Sequence, residues 1–94
     1  MNVRRVVLDV DKAISRPTLL EIARAIASVT GVLGLNITVT EIDIETVGTD
    51  VTIEGENLDV DALIHAIESV GAVVHSIDQI LAGSQIVERV ARKR

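Results

Sequence analysis

Two helix-to-strand junctions, 40 residues apart, constrain this chain more than any other feature of it. The first runs Ala27-Ser28-Val29-Thr30-Gly31-Val32 into Leu35-Asn36-Ile37-Thr38-Val39. The second runs Glu68-Ser69-Val70-Gly71-Ala72-Val73 into His75-Ser76-Ile77-Asp78. Each reads as the last turn of an amphipathic helix, a glycine stop and then a β-branched strand. A crossover repeated at that interval implies two βαβ halves, and two such halves build a small α/β sandwich.

The length of 94 residues fits one domain spanning residues 1–94, near the small end of what a single core can stabilise. With no Phe, Tyr or Trp, that core is aliphatic, and its valines and isoleucines favour strands because their stiff χ1 suits a pleated surface. A mean hydropathy of +0.43 is high for so small a domain, which predicts that some apolar surface lies between subunits. The absence of cysteine excludes disulfides, thiolate metal sites and cysteine nucleophiles. The N-terminal residues lead straight into a strand pattern with no signal-like apolar region, and no apolar run approaches the ~18 residues a membrane span needs. The expectation is an intracellular, cytoplasmic protein without a membrane partner. A net charge of −5 opposes general nucleic-acid binding, which needs a basic surface. The one basic cluster, Arg89, Arg92, Lys93 and Arg94, suits a solvated chain end.

Arg4 to Val10 alternates as a strand with Val6, Leu8 and Val10 on one face. Thr18-Leu19-Leu20-Glu21 is a capping box that opens helix one, which buries Leu19, Ile22 or Ala23, Ile26 and Val29. Strand two begins near Leu35. Leu35, Ile37 and Val39 keep one phase and Ile42 and Ile44 the other, so a β-bulge is expected near Thr40-Glu41. Val47 to Asp50 reads as a turn, and Asp50 to Gly55 as strand three with Val51 and Ile53 inward. Asp59 or Asp61 caps helix two, whose stripe is Val60, Leu63, Ile64, Ile67 and Val70. Strand four spans Val73 to about Leu81, and residues 84–94 form a short helix or an extra edge segment. The order βαββαβ predicts a ferredoxin-like α+β sandwich, an antiparallel sheet with both helices on one face. The other face would carry Arg5, Asp9, Thr38, Thr52 and Glu54, with Val7 and, beyond the bulge, Ile42 and Ile44. Two isoleucines on an open face predict a subunit interface.

Glu41, Asp43 and Glu45 are the most suggestive polar set. On a continuing strand their spacing puts three carboxylates on one face, roughly 6 to 7 Å apart. Converging carboxylates are what a hard cation such as Ca²⁺ or Mg²⁺ needs, and Asp9, Asp11, Asp50 or Glu54 could add oxygens. A solvated acidic hairpin that blunts an edge strand explains the same residues. His75 and Asp78 fall on opposite faces by period two, which argues against a direct catalytic pair, and His65 lies opposite the buried stripe of helix two. No nucleophile elbow and no phosphate-cradling glycine run is present.

The segments Gly34 to Thr46, Ile53-Glu54-Gly55 and His75 to Gly83 resemble the archaeal domain of unknown function 211, and the resemblance spans nearly the whole chain. Gln79 and Leu81 depart from the acidic residue and the valine expected there. The resemblance implies a ferredoxin-like fold, homo-oligomeric assembly and a cytoplasmic archaeal setting, with no established activity. It also makes a bound divalent cation plausible, with Glu41, Asp43 and Glu45 the place to look. Two readings follow. One is a non-enzymatic oligomeric module that binds a small ligand or divalent cation at subunit interfaces. The other is an enzyme with its site on the open sheet face, using Asp9, Glu54 and His75 and, more loosely, Asp11. Soft-metal delivery lacks thiols, and an RNA-binding plait lacks the aromatics on which bases stack.

Overall fold

The computed structural model describes residues 1–92. Its elements are β1 (Val3–Ala13), α1 (Leu19–Ala27), β2 (Val32–Ile42), β3 (Thr46–Gly55), α2 (Val60–Ser69) and β4 (Val73–Ala82). One antiparallel sheet has the strand order β2-β3-β1-β4, so each helix carries the chain over one intervening strand. This is the ferredoxin-like α+β arrangement that the paired junctions predict.

Alternation along the central strands builds the core. Val6, Leu8 and Val10 of β1 lie opposite Ile53, Val51 and Thr49 of β3, and all six are fully buried on the helix side. Ile22 and Ile26 of α1 and Leu63 and Ile67 of α2 close that layer with no exposure at all. Both helices start where the sequence places them. Thr18 Oγ1 accepts from Glu21 N at 3.1 Å while Glu21 Oε1 accepts from Thr18 N at 3.3 Å, completing the capping box. Asp59, rather than Asp61, caps α2 by accepting from Ala62 N at 3.1 Å. Thr49 is a fully buried polar residue at the edge of an apolar core, and its hydroxyl donates to the Val10 carbonyl at 2.8 Å.

Three readings of the chain are corrected. The turn falls at Asp43–Glu45 rather than at Val47–Asp50, because Val47 and Thr49 pair with β1 and are buried there. The expected bulge is present, with Thr40 the extra residue between the pairs Val39–Thr49 and Glu41–Gly48. Its effect on the faces differs from expectation. The inserted residue restores the phase, so Ile42 pairs with Val47 on the helix side instead of the open face, and Ile44 sits in the turn. Finally, residues 84–92 are neither helix nor paired strand, and Lys93 and Arg94 lie outside the described residues. So short a segment gains too little from burial to offset helix nucleation, and Ile86, Val87 and Val90 are exposed.

Candidate functional site

The open face of the sheet is organised by Arg5, which the register of β1 against β3 sets opposite Glu54. Its Nε donates to Glu54 Oε2 at 2.7 Å, and its Nη1 donates to Glu88 Oε1 at 2.9 Å. Hydrogen bonding to Glu54, and then to Glu88, pushes the guanidinium further above its ordinary value. Arg4 Nη1 donates to the Ser84 carbonyl at 3.4 Å, so the segment after β4 is strapped over this end of the sheet. Between strap and sheet lies an open cleft of about 300 Å³, lined by Arg4, Arg5, Gly34, Glu54, Leu81 and Ile86. Its floor is apolar and its rim charged, but the Arg5 fork is already engaged by two carboxylates. Charge-assisted pairing of this kind gives geometric order to the strap more than it gives a free anion receptor. Sequence reasoning places Arg5 and Glu54 on one face but does not see Glu88, because a contact across 83 residues has no local signal.

Four residues further along β1 the face turns acidic. Asp9 lies directly opposite Asp50, and Asp11 follows two residues on, opposite Gly48. Like charges facing each other on adjacent strands oppose the pairing. Among the described residues no Lys, Arg or His nitrogen comes within 4 Å of any of the three carboxylates. Asp9 and Glu54 belong to positions roughly 13 Å apart along the sheet, and Glu54 is engaged by Arg5. The residues named for an enzyme therefore do not converge. His75 is exposed and is the extra residue of a bulge, between the pairs Asp9–Ser76 and Val10–Val74. Asp78 fills a second bulge between Val7–Gln79 and Leu8–Ile77, where it accepts from Ser76 Oγ at 2.8 Å. His65 is on the exposed side of α2.

The acidic hairpin is arranged differently from a continuing strand. Glu41 is in β2, whereas Asp43 and Glu45 belong to the turn. Asp43 Oδ1 accepts from Ile44 N at 2.7 Å, and Asp43 N donates to the Thr46 carbonyl at 2.8 Å, so this carboxylate serves the turn itself. Among the described residues no three Asp, Glu or His side chains converge to hold a metal ion. Ile42, just before the turn, and Ile44, within it, are 72% and 88% exposed, the most exposed isoleucines among the described residues. No described helix is long and apolar enough to cross a membrane.

A small ferredoxin-like sandwich with an open, charged sheet face and no converged catalytic set is the class that fold and face define. The family model for the domain of unknown function 211, described as "Uncharacterized ArCR", matches residues 4–94, and the chain belongs to that family. The chain is also similar to the uncharacterized protein MJ0319 of the archaeon Methanocaldococcus jannaschii. The two are 47% identical over 89 residues, which cover 95% of this chain and 91% of the relative.

Proposed function

We propose that this protein is a non-enzymatic, cytoplasmic homo-oligomeric module that takes a small ligand or a divalent cation between its subunits. The observation that carries the reading is its uncovered apolar surface. Ile42 and Ile44 at the hairpin, Leu33 and Val39 on β2, and Val87 and Val90 in the strap are exposed, while the core beneath the helices is closed. The accessible surface of 6271 Å² exceeds the roughly 5,300 Å² expected of a compact monomer of 10.1 kDa by about 1,000 Å². Stable interfaces bury about 800 Å² on each partner, so the excess is of the size an assembly would remove.

A shared ligand site follows from what one copy lacks. Glu41 and Glu45 at the hairpin and Asp9, Asp11 and Asp50 on the open face are acidic groups without a cationic partner among the described residues. Three of them do not meet within one chain, so a hard cation would draw its oxygens from two copies. Native mass spectrometry before and after chelation tests both parts. Expected are an oligomer at micromolar concentration and a loss of mass or of subunits on chelation. A monomer removes the reading, and an oligomer indifferent to chelator removes the cation. Paired substitutions Ile42→Asp and Ile44→Asp are expected to shift the oligomer toward monomer if the hairpin is buried between subunits.

A further inference from the structure

The two edges of the sheet are built differently, and the difference points to which one meets a second copy. In the order β2-β3-β1-β4, β2 and β4 are the strands with an unpaired side. Exposed edges invite pairing with another chain, and proteins blunt them with charges, prolines and bulges. β4 carries such devices: bulges at His75 and Asp78 interrupt its register, and the second inserts a carboxylate. β2 is bulged only toward its ends, at Leu33 and Thr40, and from Gly34 to Val39 it carries none of these devices. That stretch pairs with β3 in unbroken register, from Gly34 opposite Glu54 to Val39 opposite Thr49. No charged residue and no proline occurs from Val32 to Thr40. In a chain of net charge −5, this is the edge along which two copies approach with least repulsion.

We propose that β2 pairs antiparallel with β2 of a second copy, about a two-fold axis at Asn36 or Ile37, giving one continuous eight-stranded sheet. The proposal rests on the oligomeric reading above and specifies its interface. A two-fold axis perpendicular to the sheet keeps the helices of both copies on the same side. The helix-side row of Leu35, Ile37 and Val39 then meets its own counterpart, and the half-buried state of Leu35 and Ile37 and the 40% exposure of Val39 end there. On the open side Asn36 and Thr38, already hydrogen-bonded to each other within one chain, meet a second neutral polar pair. An isologous contact of this kind closes as a dimer instead of propagating.

The chain has no cysteine, so any single introduced thiol can form a disulfide only between copies. A residue on the axis faces itself with Cα atoms about 4.5–5.5 Å apart, within disulfide reach. Under mild oxidation, Asn36→Cys or Ile37→Cys is expected to give a covalent dimer at least about ten times faster than Asp78→Cys on β4. A second variant, Asn36→Lys, makes the net charge less negative, which by itself would favour association. On or next to the axis it sets two ammonium groups directly opposite or diagonal to each other, with neutral Thr52 as its neighbour on β3, and sedimentation velocity is expected to show dimer affinity reduced roughly tenfold or more. Circular dichroism checks that the variants are folded. The β2 interface is overturned if the wild type assembles while Asn36→Lys assembles equally well. It is also overturned if cross-linking is confined to Asp78→Cys, or needs Asn36→Cys and Asp78→Cys chains mixed. These results leave the oligomeric reading standing, whereas a wild type that sediments as a monomer at micromolar concentration ends both.

Discussion

The halves β1-α1-β2 and β3-α2-β4 repeat one plan of strand, helix, glycine stop and edge strand, yet they finish it in opposite ways. The first half ends in a strand that is uncharged and in unbroken register from Gly34 to Val39, between bulges at Leu33 and Thr40, and runs on into an exposed acidic turn. The second ends in a strand broken by two bulges at polar residues and followed by a strap latched onto Arg5. Beneath the helices the halves are equivalent; at the edges they are not. The packing requirement of a core is symmetric between them, because each helix covers one outer strand. The edges answer to whatever lies outside the chain, and there nothing enforces likeness. A strand that must not pair is bulged along its middle, and a strand whose middle stays regular is available to pair.

The equivalence beneath the helices is open to the largest test. Ile26 of α1 and Ile67 of α2 are both fully buried, so Ile26→Ala and Ile67→Ala are each expected to cost about 3 kcal/mol by denaturant unfolding. A difference between them much above 1 kcal/mol would break the symmetry of the two halves. The next test concerns the seat of β2. A methyl group on Gly55 would overlap the carbonyl oxygen of Gly31, which accepts from Glu56 N at 3.0 Å. Neither backbone can yield cheaply, so Gly55→Ala is expected to cost about 2 kcal/mol or more. Gly34, on the same edge, has open space around its Cα, and Gly34→Ala is expected to stay within about 0.5 kcal/mol. Equal effects would mean that β2 is not seated by this close approach.

The smallest tests address the helix starts, where the first half has a reciprocal capping box and the second a single aspartate. Thr18→Ala is expected to cost about 1 kcal/mol, and Asp59→Ala a similar amount, read from unfolding midpoints. The hydrogen bond from Arg16, with that from the Thr18 backbone second, holds the Glu21 carboxyl below its ordinary value. A carboxyl lowered on folding stabilises fully above its unfolded value and loses that contribution as pH falls through the folded one. Wild type is therefore expected to exceed Glu21→Gln in stability at neutral pH. The gap should close once pH drops below the usual carboxylate range, and a gap independent of pH would assign the effect to shape and not to charge.

Much of the fold is legible because local rules and global packing agree. Thr18 and Glu21, three apart ahead of an apolar run, specify a helix start without help from anything distant. The mismatch between Val39 and Ile42 announces a bulge, since one extra residue is the simplest way to keep a face apolar. The bulges at His75 and Asp78 leave no such trace, because strand four stays apolar enough to read as regular. The turn is misplaced for a similar reason. Val47-Gly48-Thr49-Asp50 carries turn-forming residues, but pairing with β1 buries Val47 and Thr49 and outweighs that preference. The candidate site is the least legible part. Glu41, Asp43 and Glu45 look aligned while the strand is imagined to continue, and they separate once Asp43 turns to cap Ile44.

What the sequence determines alone is the order of elements, the capping box of the first helix, the aliphatic core and the family to which its segments point. Each of these rests on interactions between residues a few positions apart, or on a periodicity that any burial surface would read the same way. Tertiary structure decides which face Ile42 takes, that Arg5 is shared by Glu54 and Glu88, that Asp9 confronts Asp50, and whether bulges fall in the middle of an edge strand or at its ends. Those outcomes depend on strand register, and register is settled by the whole sheet packing at once.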